Sequence, residues 1–234
     1  MGYQMTFKRY EKKYIVSDAQ KAAFLAEIAD RIEPDKYGRS TVSNIYFDTP
    51  NYRLIRASIE KPVFKEKLRL RAYGTPEDDT NVFVELKKKY HSVVYKRRIN
   101  LKYAVAYDYL INGVRPPKVK NKQVFSEIDY FINYYEGLRP AAAIFYDREA
   151  YYCSENKELR FTFDSNIRYR HENFDLRNGS EGTHILDEGL SIMEIKCLGS
   201  MPLWVTAALS KHKIFPASYS KYGRSYETGF PYMI

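Results

Sequence analysis

The feature that most narrows what this chain can fold into is an alternation. Residues 64–71 read Phe-Lys-Glu-Lys-Leu-Arg-Leu-Arg. Successive side chains of a strand point to opposite faces. One face of this run therefore carries Lys65, Lys67, Arg69 and Arg71, and the other carries Phe64, Glu66, Leu68 and Leu70. The pattern recurs along the chain. Phe83, Glu85 and Lys87 oppose Val82, Val84 and Leu86; Lys96 and Arg98 oppose Tyr95, Arg97, Ile99 and Leu101. Arg9, Glu11 and Lys13 share a face, as do Ile144, Tyr146 and Arg148. Arg160, Thr162 and Asp164 oppose Leu159, Phe161 and Phe163, and Glu194 and Lys196 align with Ile192 against Met193 and Ile195.

Taken one strand at a time, this describes an ordinary sheet with one packed and one solvated face. The sum of the strands strains that reading. A solvated face mixes signs, whereas these faces are heavily cationic, and neighbouring cations repel at short range unless an anion lies among them. The predicted helices also need an apolar surface to cover. The expectation is an α+β fold: a closed antiparallel β-barrel of about eight strands, apolar outside under helices, with its cations lining a lumen. Closure would also remove exposed strand edges.

Strands are expected over residues 6–16, 42–48, 64–72, 81–90, 93–101, 142–151, 159–168 and 190–198, with a tight turn at His91-Ser92. Helices are expected over 50–58, 104–111, 122–136 and from Pro202 to about 211. Another opens at Ser17, where Ser17 and Gln20 have capping-box spacing, and runs to about 32. The polar stretch 171–187 reads as a mobile loop. No linker or low-complexity tract interrupts the 234 residues, so one domain over 1–234 is expected. Tyrosine, with 23 copies, favours strands. The net charge of +9 calls for an anionic partner. Cys153 and Cys197 have no metal-type spacing, and His91, His171, His184 and His212 are scattered, as solvated surface histidines would be. With no signal-type or membrane-length apolar run, a cytoplasmic protein is expected.

Arg binds phosphate oxygens as a fork and Lys supplies point charge, so a basic lumen suits a linear polyanion. Glu11, Glu85 and Glu194 stand among these cations. They are either ion-pair partners or donors to a divalent metal, which takes carboxylate and phosphate oxygens. The ion-pair reading comes first for Glu11 and Glu85.

Nine segments then occur in a recognisable order: RYEKKY at 9–14, IYFDT at 45–49, KEKLRLRAYG at 65–74, VELK at 84–87, YKRR at 95–98, YDR at 146–148, RFTFD at 160–164, MEIK at 193–196 and SKYG at 220–223. On these the chain resembles the VTC domain, the polyphosphate polymerase domain of the vacuolar transporter chaperone complex and of stand-alone bacterial relatives, within the triphosphate tunnel metalloenzyme superfamily. The resemblance implies a tunnel that binds ATP with Mn2+ (or Mg2+) and transfers the terminal phosphate to a growing polyphosphate chain. It implies catalytic phosphate contacts at Lys13, Arg69, Arg71, Lys87, Lys96, Arg148, Arg160 and Lys221. Further phosphate contacts are implied at Arg9, Arg56, Lys65, Lys67, Arg98 and Lys196, and a metal ligand at Glu194. ATP and polyphosphate are the implied partners, and no nucleic acid is expected. Hydrolytic members begin Glu-x-Glu-x-Lys, where this chain has Arg9-x-Glu11-x-Lys13. A cation replaces a carboxylate there, which favours polymerase over triphosphatase. A non-catalytic module for polyphosphate or RNA is the remaining alternative, since tyrosines interleaved with cations also serve single-strand binders.

Overall fold

Ser17 decides where the first strand stops. In a computed structural model of the chain, its Oγ accepts from the Gln20 N–H (3.2 Å), and the Gln20 side chain accepts from the Ser17 N–H (3.1 Å). This capping box turns β1 (Arg9–Ser17) into α1 (Asp18–Glu27). The structure describes residues 9–60, 62–91 and 93–230, so residues 6–8 of the first expected strand, and Ser92 of the tight turn, lie outside the described residues.

The elements that follow are β2 (Ile32–Pro34), β3 (Ser40–Asp48), α2 (Arg53–Ile59), β4 (Phe64–Tyr73), β5 (Asn81–Tyr90) and β6 (Val93–Lys102). Then come α3 (Tyr103–Ile111), α4 (Lys122–Tyr134), β7 (Arg139–Cys153), β8 (Arg160–Arg170), β9 (Thr183–His184), β10 (Leu190–Leu198), α5 (Leu203–Lys211) and α6 (Lys221–Gly229). The hydrogen-bonded order is β1-β10-β8-β7-β3-β4-β5-β6, with β2 on β7 and β9 on β8. This corrects the expectation of a closed barrel. The order has two ends, β1 and β6, and no pairing joins them among the described residues. β6 has the marks of an edge strand: Lys96, Arg97 and Arg98 are exposed, and exposed charge discourages further pairing.

The chain forms two compact units. The described residues of the first are 9–40, 146–167 and 186–219; those of the second are 41–60, 62–91, 93–145, 168–185 and 220–230. In the first unit, α1 and α5 cover the apolar face of β1, β10 and β8. Phe24, Ile28, Val205 and Leu209 pack there on Tyr14, Val16, Phe161, Phe163, Met193 and Ile195. In the second, α3 and α4 cover the apolar face of β3 to β6. Tyr103, Ala106, Ile128 and Phe131 pack there on Ile45, Phe47, Leu68, Leu70, Val84, Leu86 and Ile99. The alternation assigned the apolar rows correctly, and the runs Lys67–Arg69–Arg71 and Lys13–Glu11 stand on the opposite side of the sheet. Glu66, which accepts from Tyr135 Oη (2.9 Å) and pairs with Lys88 (3.1 Å), and Arg97, which pairs with Glu127 of α4, are charged residues on the helix side.

Segment 171–187 is tied down rather than mobile. Arg168 donates to Ser180 O (2.6 Å) and Ser180 Oγ (2.9 Å), and Arg170 donates to Asn173 O and Asp175 O. Tyr103 Oη donates to Asp175 and accepts from the Leu176 N–H. Leu176 is fully buried in the second core. β9 runs so close to β8 that a Cβ on Gly182 would stand 2.5 Å from Tyr169 O. His171 is likewise no solvated surface histidine, since its Nδ1 lies 2.7 Å from Ala141 O and its Nε2 3.1 Å from Ser225 O. If Leu176 anchors this strap, Leu176→Ala removes a filled core position, which costs about 2–5 kcal/mol. Urea denaturation should show a loss of that size; a loss within about 0.5 kcal/mol, as at an uncoupled surface site, would restore the mobile loop.

Candidate functional site

The charged face of the second unit is set by strand register. Across β4, β5 and β6, Lys67 stands opposite Lys87, and Lys87 opposite Lys96. One step along, Arg69 stands opposite Glu85, and Glu85 opposite Arg98. Directly opposed like charges destabilise a sheet, so the lysine row needs negative charge nearby. Glu85 supplies part of it. It is 2% exposed and accepts from Arg69 Nε (2.7 Å) and Nη2 (2.6 Å); Lys96 Nζ lies 2.5 Å and Arg71 Nε 3.9 Å away. Burial raises the Glu85 pKa, but the charges of Arg69, Arg71 and Lys96 outweigh it and lower the value to about 2. Lys96 is itself lowered, first by burial and then by Arg69 and Arg71, against the pull of Glu85. Arg98 lies over the Phe83 ring, 4.8 Å from its centroid.

β3 completes this face with residues that the sequence reading passed over. Tyr46 stands opposite Arg69, and Asn44 opposite Arg71. Asn44 Oδ1 accepts from Arg71 Nε (2.9 Å), while Asn44 Nδ2 donates to Ile144 O (3.0 Å). Tyr46 Oη accepts from Arg69 Nη1 (3.2 Å). Asp48, at 0% exposure, accepts from the Thr49, Leu54 and Ile55 N–H groups at 2.8–2.9 Å and from Tyr222 Oη at 2.8 Å. Burial raises its pKa against those hydrogen bonds. Asp48 thereby fixes the start of α2 and the first turn of α6. The Tyr222 ring stacks on Tyr46 (4.8 Å, 17°), and Ser220 Oγ accepts from Lys67 Nζ (3.3 Å). The signal for these residues was in the sequence. Period two in VSNIYFD puts Asn44, Tyr46 and Asp48 on the face opposite Ile45 and Phe47, and Tyr222, Ser225, Tyr226 and Gly229 are spaced for one helix face.

The second unit thus brings together Lys67, Arg69, Arg71, Lys87, Lys96 and Arg98. Lys65 shares the β4 face but reaches back to Ser58 O (3.2 Å). Lys221 is the first residue of α6, and Arg56 is exposed on α2.

The charged face of the first unit mixes signs. Lys13 stands opposite Glu194, and Glu194 opposite Thr162; Glu11 stands opposite Lys196, and Lys196 opposite Arg160. Glu194 is buried, with Lys13 Nζ 3.4 Å from Oε1 and Lys196 Nζ 3.0 Å from Oε2. Lys13 also donates to Tyr219 O (3.0 Å), and Glu11 lies 4.0 Å from it. Arg148 is held by both oxygens of the fully buried Asp164 (2.6 and 2.7 Å) and lies over the Tyr146 ring. Arg160 is exposed and donates to Lys157 O. Arg9 belongs to β1, but its side chain lies outside the described residues. Asp164 was not among the expected site residues, although RFTFD places it on the face of Arg160.

An antiparallel sheet with helices on one face and charged rows on the other is the class of fold seen here, and comparisons with known proteins narrow it. The model of the VTC domain family matches residues 8–230. The chain belongs to the VTC domain family. Solved structures with a similar fold include a candidate adenylate cyclase from Vibrio parahaemolyticus (13% identity, 94% of this chain and 98% of that one, TM-score 0.50) and another from Bacillus halodurans (15%, 92% and 94%, 0.53). A third is a candidate adenylyl cyclase from Hippeastrum, described as having a dominant triphosphatase activity (16%, 92% and 94%, 0.56).

The buried Glu85 gives a pH prediction. Its folded pKa of about 2 lies below the unfolded carboxylate value of about 4.3. Its contribution to stability is therefore complete above about pH 5 and is lost as pH falls towards 2; it is of the order of 3 kcal/mol. Glu85→Gln should lower stability at neutral pH and flatten the acid limb of urea-derived stability against pH. Parallel acid limbs in the two proteins would show that Glu85 is not held ionised by its neighbours.

Proposed function

We propose that this chain is a metal-dependent phosphotransferase that moves the terminal phosphate of ATP onto a growing inorganic polyphosphate chain. The observation that carries the reading is the Lys67–Lys87–Lys96 row beside Arg69 and Arg71, a concentration of cations around one buried carboxylate. VTC family membership supports it. The proposed phosphate contacts are Arg69, Arg71, Lys87, Lys96 and Lys221 of the second unit and Lys13, Arg148 and Arg160 of the first, with Arg9, Arg56, Lys65, Lys67, Arg98 and Lys196 around them.

Phosphoryl transfer asks for alignment and charge compensation more than covalent chemistry. Arg69 and Arg71, fixed by Glu85 and Asn44, present forks to non-bridging oxygens, and the lysine row carries charge along a linear chain. The nucleophile, a terminal phosphate oxygen, is already ionised and needs no general base. Glu194 is the proposed ligand for Mn2+ or Mg2+. No cluster of three or more metal-binding side chains occurs among the described residues. A single buried carboxylate does fit a cation held mainly by substrate phosphates. Such a cation, when bound, would neutralise triphosphate oxygens. Lys13 and Lys196, which now hold Glu194, would be released towards phosphate.

The triphosphatase activity described for the Hippeastrum protein supports a second reading, transfer of the phosphate to water. The products separate the two. Purified protein with ATP and manganese should give long acid-labile chains on a polyphosphate-stained gel; orthophosphate alone would favour the triphosphatase. Glu194→Gln should abolish manganese-dependent synthesis while leaving metal-free polyphosphate binding intact. Arg69→Ala or Arg71→Ala should weaken binding itself. A lowered Tm with activity unchanged at saturating manganese would reduce Glu194 to an ion-pair partner of Lys13 and Lys196. Tripolyphosphate should raise Tm far more than orthophosphate, and added salt should diminish that shift.

A further inference from the structure

Tyr46 is a phenol built into the cationic face of β3 to β6 through its hydroxyl. It is 8% exposed, its Oη accepts from Arg69 Nη1, and one of its ring faces is covered by Tyr222. Tyr222 cannot turn away, because Asp48 holds its hydroxyl and Asp48 is itself fixed by three backbone N–H groups. With its acceptor side taken by Arg69, Tyr46 keeps an O–H to donate. Lys67, Arg69 and Arg71 approach from β4, Glu85 of β5 stands behind Arg69 with Lys96 of β6 beyond, Tyr222 comes from α6, and Asp48 lies further along β3.

Resting on the polyphosphate reading, we propose that Tyr46 belongs to the anion site and couples binding to a proton: a phosphate chain seated on β4 to β6 is bound by the protonated phenol and repelled by the phenolate. The charge balance gives the direction. In the free protein, burial pushes the phenol pKa up, but Arg69, Arg71 and Lys67 outweigh it and bring the value from the usual 10 down to about 8. A bound polyanion neutralises those same cations and adds negative charge beside the oxygen, so the phenol holds its proton more tightly. Where the free protein has lost this proton and the complex has kept it, binding takes up one proton. Affinity is therefore greatest below about pH 8 and falls by up to tenfold per pH unit above it. Lys96, whose pKa is also lowered, weakens binding at higher pH whichever residue stands at 46.

Two measurements test the proposal. The first is a titration of tyrosinate ultraviolet absorption in the wild-type protein, alone and with tripolyphosphate. One tyrosine should ionise near pH 8, ahead of the others, and its transition should move up when tripolyphosphate is present. The second is the Kd for tripolyphosphate from about pH 7 to pH 9 in wild type and Tyr46→Phe. Wild type should lose affinity by close to tenfold more than the variant across that range. An early transition that tripolyphosphate leaves in place, no early transition at all, or two parallel Kd profiles would each overturn the proposal. The first measurement needs no variant, so it decides even if Tyr46→Phe folds poorly. Absence of tripolyphosphate binding at pH 7 would sink the polyphosphate reading and this proposal with it; binding at pH 7 with parallel profiles would sink this proposal alone.

Discussion

The second unit is organised around a repulsion. Lys67, Lys87 and Lys96 occupy directly opposed positions on three neighbouring strands, an arrangement that weakens a sheet when no negative charge lies close by. Glu85 answers it from within. A carboxylate this buried would be costly alone, but Arg69, Arg71 and Lys96 converge on it and keep it ionised. The same contacts fix the two guanidinium groups. What holds the sheet together therefore also preorganises Arg69 and Arg71, the residues of the proposed anion site, and leaves net positive charge on that face.

The first unit solves a similar problem differently. Its rows alternate in sign, Lys13–Glu194 beside Glu11–Lys196, so the face is closer to neutral and Glu194 is held between two lysines. Arg148 is locked by Asp164 and carries a fixed charge instead of a mobile one. The two units thus differ in charge pattern: concentrated positive charge in one, carboxylates flanked by lysines in the other.

Support for the cationic face comes from an unexpected direction. Asp48 collects the start of α2 and the hydroxyl of Tyr222, and Tyr222 in turn backs Tyr46. α6 was not expected as a helix because KYGRSYETG is polar and contains two glycines. Each glycine has a spatial reason. A Cβ on Gly229 would stand 2.4 Å from His171 Nε2, and one on Gly223 3.1 Å from the Ser220 Cβ. The strap over 171–187 was misread for a related cause: its composition is that of a solvated loop, and its order comes from one buried leucine and from arginines that bind its carbonyls. Neither kind of partner is visible in the segment's own residues.

Period two by itself determined the strands and their faces, because a side chain's side of a strand is a property of local sequence. It placed Leu68 and Leu70 in the core and Arg69 and Arg71 opposite them, and Ser17 with Gln20 determined the start of the first helix. Order and pairing were decided only in three dimensions. Whether the ends of the sheet meet depends on edges far apart in the chain, and here β1 and β6 remain the two ends of the order. That Glu85 rather than Glu11 gathers the arginines depends on which strands lie side by side. A carboxylate's neighbours across a sheet are set by register between strands, which local alternation does not encode.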